Sequence, residues 1–261
     1  MANEPERARG VLDVTWVGHA TVRLRLDGTT ILTDPALLPR IGGLLRRVPL
    51  DPVVAEAHAD AVLISHAHHD HLDLPSLRRL GHRTPIIVSR GAGGLLTRAG
   101  FTQVTEVEVG DRIAIGNLRV TAVPAQHAGR RLPFGPWAVA IGYLVEGTRR
   151  VYFAGDTALF DEMADIGAGM DLALIPVGGW GPRLRGGHLD PLTAAKALRI
   201  LQPRWALPIH WGTFWPAGMS RVGSARFSEP GREFVVHASH EAPGVEVVLL
   251  RPGEQRRLAM P

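Results

Sequence analysis

Residues 65–71 read Ser-His-Ala-His-His-Asp-His, and within them His66, His68, Asp70 and His71 form the pattern H-x-H-x-D-H. Clustered ligands of this kind suit one or two transition-metal ions. Imidazole favours zinc and its neighbours in the series, while a carboxylate adds charge and can span toward a second ion. The alternative is an exposed loop that happens to be histidine-rich. The chain has 12 His and no Cys, so thiolate sites and disulfides are excluded and a metal must be held by imidazole and carboxylate. Two ions sharing a water lower its pKa toward neutrality, and the bridging hydroxide can attack an electrophilic phosphorus or carbonyl carbon. Such chemistry needs no Ser or Cys nucleophile, and the sequence offers no Gly-x-Ser-x-Gly elbow.

The cluster directly follows Ala61-Val62-Leu63-Ile64, an apolar run that reads as a buried strand. Other isolated ligand types also follow apolar runs. His127 lies past Leu118–Val123, Asp156 past Arg150–Phe153, and His210 past Trp205–Ile209. Any one of these alone is more often structural. Their common placement matters because residues after successive strands of a sheet meet at the same edge of a fold.

Strand signals begin the chain at Val11–Val17, Thr21–Leu26 and Thr30–Thr33, the last two joined by an Asp27-Gly28 turn. Helical patterns at Leu74–Leu80 and Leu95–Ala99 flank a strand at Ile86–Val88. Strands are then expected at Val104–Val107, Arg112–Ile115, Leu118–Val123, Val139–Val145 and Arg150–Phe153. Helix Phe160–Ile166 leads into strand Leu172–Pro176, and helix Leu192–Leu201 into strand Trp205–Ile209. A last helix around Arg232–His240 precedes a strand at Val245–Leu250. Two halves emerge, each of strands followed by helices. The order fits one α/β domain over residues 11–261, an αββα sandwich of two mixed sheets flanked by helices, after a disordered lead over residues 1–10.

Composition narrows the class. The 261 residues can bury a sizeable core. The sequence pI near 10.5 suggests nucleic acid, but 29 basic and 25 acidic residues leave a net charge of only +4. Lys196 is the sole lysine, so almost nothing titrates between neutrality and the arginine range. The pairs Arg46-Arg47, Arg78-Arg79, Arg130-Arg131, Arg149-Arg150 and Arg256-Arg257 are scattered, and they read as solvated surface with no strong nucleic-acid signal. No apolar run approaches the ~20 residues of a membrane span, and the first ten residues lack a secretory core. A cytoplasmic enzyme is the expectation.

The motif series resembles the metallo-β-lactamase fold superfamily of metal-dependent hydrolases, over roughly Val14 to Gly253. The resemblance implies that His66, His68 and His127 bind one metal, that Asp70, His71 and His210 bind the other, and that Asp156 bridges both. His69 falls outside the pattern. Trp16-Val17-Gly18-His19-Ala20-Thr21 and Leu32-Thr33-Asp34-Pro35 are similar to the opening of the N-acyl-phosphatidylethanolamine phospholipase D-like branch. So are Arg130–Trp137, Pro176–Trp180, Gly187–Pro191 and His210–Phe214. In that branch the residue matching His188 sits beside the metals and contacts substrate. The ascorbate-phosphate lactonase branch shares the metal set. The chain is shorter at its N-terminus than the mammalian phospholipase, so the likeness reaches the metal set more firmly than the lipid-docking surface.

Two divalent ions are therefore expected, zinc first, with manganese or iron as alternatives. His68 stands where the redox di-iron relatives resemble one another in carrying Glu, which disfavours oxygen or nitric oxide reduction. The expected function is a binuclear hydrolase acting on a phosphodiester, with a lactone or other carboxylic ester as the alternative substrate. A nuclease and a non-catalytic binding module are the remaining alternatives. The substrate is expected to be a small molecule or lipid-like. Asp70 and His188 are candidate catalytic residues, His188 as an oxyanion or leaving-group partner or, alternatively, a loop residue paired with Asp190. His19 and Asp34 are candidates to orient ligand imidazoles. Trp137 and Trp180 are candidate pocket walls, with Trp211 and Trp215 nearby in sequence as pocket or core. His58, His82, His237 and His240 are expected on the surface. The apolar-basic loop Leu37–Leu50 could touch lipid, although such a segment is more often a flap packed on its own domain.

Overall fold

Alternation in Thr21–Leu26 puts Val22, Leu24 and Leu26 on one face and Arg23 and Arg25 on the other, the period-2 signature of a strand with one covered side. This strand, β2, lies between β1 (Leu12–Gly18) and β3 (Thr29–Thr33) in an antiparallel meander. The computed structural model describes residues 10–50, 58–129, 131, 135–167, 169–184, 186–219 and 224–259. The expected lead over residues 1–10 falls outside them except for Gly10.

Two further short strands follow, β4 (Arg40–Ile41) and β5 (Leu44–Arg46). Parallel strands then extend the first sheet: β6 (Ala61–Ile64), β7 (Ile86–Ser89) and β8 (Val104–Val107). Helices α1 (Leu74–Leu80) and α2 (Gly93–Arg98) connect them. Every residue of β6 is buried, as expected of a parallel strand covered on both faces.

The second half repeats the plan. Strands β9 (Arg112–Ile115), β10 (Leu118–Pro124), β11 (Ile141–Glu146) and β12 (Arg150–Phe153) form a meander. Parallel additions β13 (Leu172–Pro176), β14 (Trp205–Ile209) and β16 (Glu246–Val247) complete it, with β15 (Phe214–Pro216) lying apart. The intervening helices are α3 (Met163–Ile166), α4 (Pro191–Leu201), α5 (Ser224–Ser228) and α6 (Pro230–Glu241). The final strand β17 (Gln255–Leu258) returns to pair with β1. Two seven-stranded mixed sheets result, in the orders β17-β1-β2-β3-β6-β7-β8 and β16-β14-β13-β12-β11-β10-β9.

Three apolar clusters define the layers. Trp16, Leu24, Leu63, Tyr143, Phe153 and Leu207 belong to the one between the sheets. Leu77 and Leu96 of α1 and α2 pack on the outside of the first sheet. Ala194, Leu198, Phe234 and Ala238 of α4 and α6 pack on the outside of the second. The expected αββα sandwich is present.

Strand direction then fixes the site. Strands β1, β3 and β6 run the same way, as do β10, β12 and β14, because two antiparallel steps restore direction. Their C-terminal ends carry His19, Asp34 and His66 on one sheet and His127, Asp156 and His210 on the other. His19, Asp34 and His210 all adopt left-handed backbone, with φ of 54°, 31° and 64°. The chain turns sharply there, off the strand end and across the edge.

One expectation about the surface needs correction. The arginine pairs are not all solvated. Arg149 is fully buried, its Nη1 donating to Asp171 Oδ1 at 3.0 Å, and Arg131 is only 8 % exposed. Arg46 is half-buried and donates to the carbonyls of Ala36 and Val17. Backbone carbonyls and a carboxylate substitute for water around these guanidinium groups. The segment Leu37–Leu50 packs on its own domain, as the flap reading expects. Strand β5 pairs with β4 and β15, and Ile41 and Leu44 bury against Ala36 and Phe214. Those apolar side chains are engaged within the chain and do not form a lipid-facing surface.

Candidate metal centre

Five ligand-type imidazoles and two carboxylates meet at the strand ends. His66 Nε2 lies 2.9 Å from His68 Nδ1, which lies 3.2 Å from His127 Nε2. Beside this triad, His71 Nε2 and His210 Nε2 are 3.2 Å apart, with Asp70 Oδ2 at 3.5 Å and 3.7 Å from them. Tetrahedral zinc with Zn–N bonds near 2.05 Å separates its nitrogens by about 3.3 Å, close to the spacing within each group.

Asp156 sits between the two groups. Its Oδ2 lies 3.2 Å from His71 Nε2, 3.9 Å from His66 Nε2 and 4.0 Å from His127 Nε2, while Oδ1 is 3.3 Å from His210 Nε2. Despite that approach, Oδ1 is buried with no hydrogen-bond partner. An orphaned buried carboxylate oxygen is costly unless it accepts something further, and a cation is the acceptable partner here. The donor set therefore fits a His/Asp-bound transition metal.

Outward-facing partners set the tautomers. Carbonyls can only accept, so His127 Nδ1 donates to Gly187 O at 2.8 Å and His210 Nδ1 to Gly178 O at 3.0 Å. His71 Nδ1 donates to Asp34 Oδ2 at 2.6 Å. Ser65 Oγ donates to that same oxygen at 2.5 Å, and so accepts from His66 Nδ1 at 2.9 Å. Four imidazoles thus keep an unprotonated Nε2 directed inward, the arrangement by which outer partners prepare histidine ligands. Asp34 governs two of them, one directly and one through Ser65.

Burial pushes the His66, His68 and His127 imidazoles below their ordinary range, His68 to about 4 with help from His71. They are neutral at pH 7 and available as ligands. Burial also pulls His71 down, but Asp156, Asp70 and Asp34 around it raise it well above the usual range. Burial alone would push the Asp156 carboxyl up, yet the facing His210 and His71 hold it well below ordinary carboxylates. The carboxylates around His71 thus favour a proton on it that a bound cation would displace from Nε2.

His19 Nε2 meets Asp70 Oδ2 at 2.9 Å, and the Trp180 indole Nε1 donates to the same oxygen at 2.9 Å. Burial, reinforced by His210, lowers His19 to about 3, so it is a neutral donor. His188, on the loop between β13 and α4, places Nε2 3.3 Å from Asp156 Oδ2. Asp190, the alternative partner in sequence, instead caps α4 by accepting from Thr193 N at 2.8 Å. His69 is exposed on the outer side of the cluster loop.

The tryptophans separate. Trp180 reaches the cluster, whereas Trp137 is 70 % exposed, and among the described residues no hydrogen bond or ring contact joins it to the site. Trp211 stacks on Trp16 at 5.3 Å and Trp215 Nε1 donates to Met219 O, so both serve packing. Of the motif Arg130–Trp137, Arg130 and residues 132–134 lie outside the described residues. Ser65, the carbonyls of Gly178 and Gly187, and Arg131 were not legible as site components. Ser65 carried a signal in its place immediately before the first ligand, while Arg131, Gly178 and Gly187 lay within the family-like motifs with no role assigned.

The family model described as a beta-lactamase superfamily domain matches residues 29–211. The chain belongs to the beta-lactamase superfamily. A superfamily relative from Thermus thermophilus, a UPF0173 metal-dependent hydrolase, is 33 % identical over 254 residues, covering 95 % of this chain and 100 % of its own. An N-acyl-phosphatidylethanolamine-hydrolyzing phospholipase D from Caenorhabditis elegans is 32 % identical over 229 residues, or 78 % of this chain and 64 % of its own length. Among solved structures, the metallo hydrolase Igni18 of Ignicoccus hospitalis matches with a TM-score of 0.74 and 25 % identity, covering 96 % of this chain and all of that one. The expected class, a metal-dependent hydrolase of this superfamily, stands on these relatives. No helix among the described residues is long and apolar enough to cross a membrane.

Proposed function

We propose that the chain is a binuclear metal-dependent hydrolase that cleaves a phosphodiester in the manner of a phospholipase D. The observation that carries this reading is Asp156, one carboxylate whose Oδ2 faces both nitrogen groups and whose buried Oδ1, beside His210, has no hydrogen-bond partner. On this reading His66, His68 and His127 hold one ion, Asp70, His71 and His210 hold the other, and Asp156 bridges them. Bound there, two divalent ions supply Lewis acidity and an activated water, which zinc does well and manganese or iron can also do.

The chain's own residues supply the rest. The charge of two dications exceeds that of Asp70, Asp156 and Asp34 together, so the centre favours an anionic ester over a neutral one. The Caenorhabditis elegans relative, named for hydrolysing a phospholipid, supports the same choice. Asp34 and the Gly178 and Gly187 carbonyls keep the imidazoles oriented, while His19 and Trp180 hold Asp70. Trp180 is 39 % exposed while its indole Nε1 meets Asp70, so it is positioned to wall a substrate beside the centre.

His188 is the residue placed to meet the reacting group. Its side chain is 16 % exposed, and its Nε2 borders the bridging carboxylate. It can donate a proton to the leaving oxygen or a hydrogen bond to the developing oxyanion. His188→Ala is expected to retain the parent's metal content and lose about 10²–10³ in kcat. Loss of an ion in this variant would make His188 a ligand, and unchanged kcat would make it a structural loop residue.

The substrate assignment is tested with a panel of chromogenic phosphodiesters, phosphomonoesters, lactones and β-lactams, each run with zinc and with manganese. Phosphodiesters are expected to turn over fastest. Faster turnover of lactones would replace the phosphodiester reading with the lactonase one.

A further inference from the structure

Arg131 belongs to a basic pair, yet it is only 8 % exposed and its guanidinium points away from bulk water. Its Nη1 donates to two carbonyls, Ala67 O at 2.9 Å and Leu72 O at 2.7 Å. Those carbonyls bracket residues 68–71, the segment carrying His68, Asp70 and His71. The same segment is bent into a tight arch, with Leu72 N donating to His68 O at 2.8 Å. A guanidinium cannot give up its charge to suit a buried setting, so it is committed to these acceptors.

The other end of Arg131 is equally constrained. It lies four residues beyond His127, on the same loop. Gly135 N donates to Arg131 O at 2.8 Å and Arg131 N to Pro136 O at 3.2 Å, holding residues 135 and 136 against residue 131. A Cβ on Gly135 would fall 2.4 Å from Arg131 Cβ and 2.5 Å from Cγ, so this close approach to the side-chain stem needs a residue without a side chain at 135. One buried cation therefore ties the loop of His127 to the loop of His66 and His68, whose nitrogens must meet within about 3 Å.

We propose that Arg131 is a positioning residue of the metal centre, pinning the 67–72 arch to the His127 loop and so setting the spacing of the His66–His68–His127 triad. The proposal rests on reading that triad as a metal site. Removing an outer partner of a metal site typically weakens affinity 10–100-fold, and a partner that holds two ligand-bearing loops belongs in that range.

The test uses R131M, which keeps the stem and removes both donors, and G135A, which keeps the donors and displaces the stem. Zinc affinity is measured by chelator competition and site geometry by the visible absorption of the cobalt-loaded chain, with a thermal melt for each variant. Both variants are expected to weaken the tighter site by about 10–100-fold and to alter the cobalt spectrum, with melting of the metal-free chains close to the parent. Should R131M fail to fold, G135A alone decides. Parent-like zinc affinity and cobalt spectrum in the folded variants would overturn the proposal. A parent chain that binds neither zinc nor cobalt would overturn the metal reading itself and the positioning role with it, a failure distinct from parent-like variants.

Discussion

Asp156→Ala is expected to lower kcat/KM by about 10⁴-fold. Metal-ion catalysis supplies several kcal/mol of charge stabilisation, and about 5.5 kcal/mol corresponds to that factor. Asp156 Oδ2 faces both nitrogen groups, 3.2 Å from His71 Nε2 and 3.9 Å from His66 Nε2, so its loss affects both at once. The substitution also leaves His71 without its strongest carboxylate partner. Asp156 follows β12 by three residues and carries none of the apolar packing, so the fold should persist. The comparison is kcat/KM and zinc content of variant and parent on the best substrate of the panel. Turnover within 10-fold of the parent, with zinc retained, would show that the carboxylate does not bridge a catalytic pair of ions.

His210→Ala and Asp70→Ala are expected to abolish measurable hydrolysis while leaving the His66–His68–His127 triad able to bind. The two differ in stability. His210 loses a hydrogen bond to Gly178 O, about 1 kcal/mol. Asp70 leaves two N–H groups, His19 Nε2 and Trp180 Nε1, without an acceptor. Unsatisfied buried donors cost about 1–3 kcal/mol each, so Asp70→Ala should also melt several degrees lower. Metal content falling by one ion per chain in both variants, with activity lost, is the expected outcome. Retained turnover in His210→Ala would remove the second ion from the account.

The parts of this molecule that sequence made legible are those with strong local signals. The all-apolar run Ala61–Ile64 and the alternation in Thr21–Leu26 mark strands by pattern alone, and the helix Leu74–Leu80 was bounded as observed. Short elements were not legible. Strands β4, β5 and β15 have two or three residues, too few for any period to register, and they exist through pairing with one another. Strand β17, Gln-Arg-Arg-Leu, reads as a polar tail because it is an edge strand whose exposed residues need no apolar partners. The expected strand Val245–Leu250 is reduced to Glu246–Val247 at the edge of the second sheet.

The site divides along the same line. His66, His68, Asp70, His71, His127, Asp156 and His210 could be singled out because each follows a strand and strand ends meet. Partners that act through backbone atoms leave no trace in residue type. The Gly178 and Gly187 carbonyls orient two imidazoles, yet any residue has a carbonyl. Arg131 misled for a related reason. Its charge suggested solvent, and only the fold reveals two carbonyls waiting in its place.

The central claim is that two ions share one His/Asp centre around Asp156. It is tested most directly by elemental analysis of the chain purified without chelator and then dialysed against zinc. The account predicts two zinc ions per parent chain, one in His210→Ala, and no more than one in a variant lacking His66, His68 and His127. A parent chain that binds one transition-metal ion or fewer would contradict it.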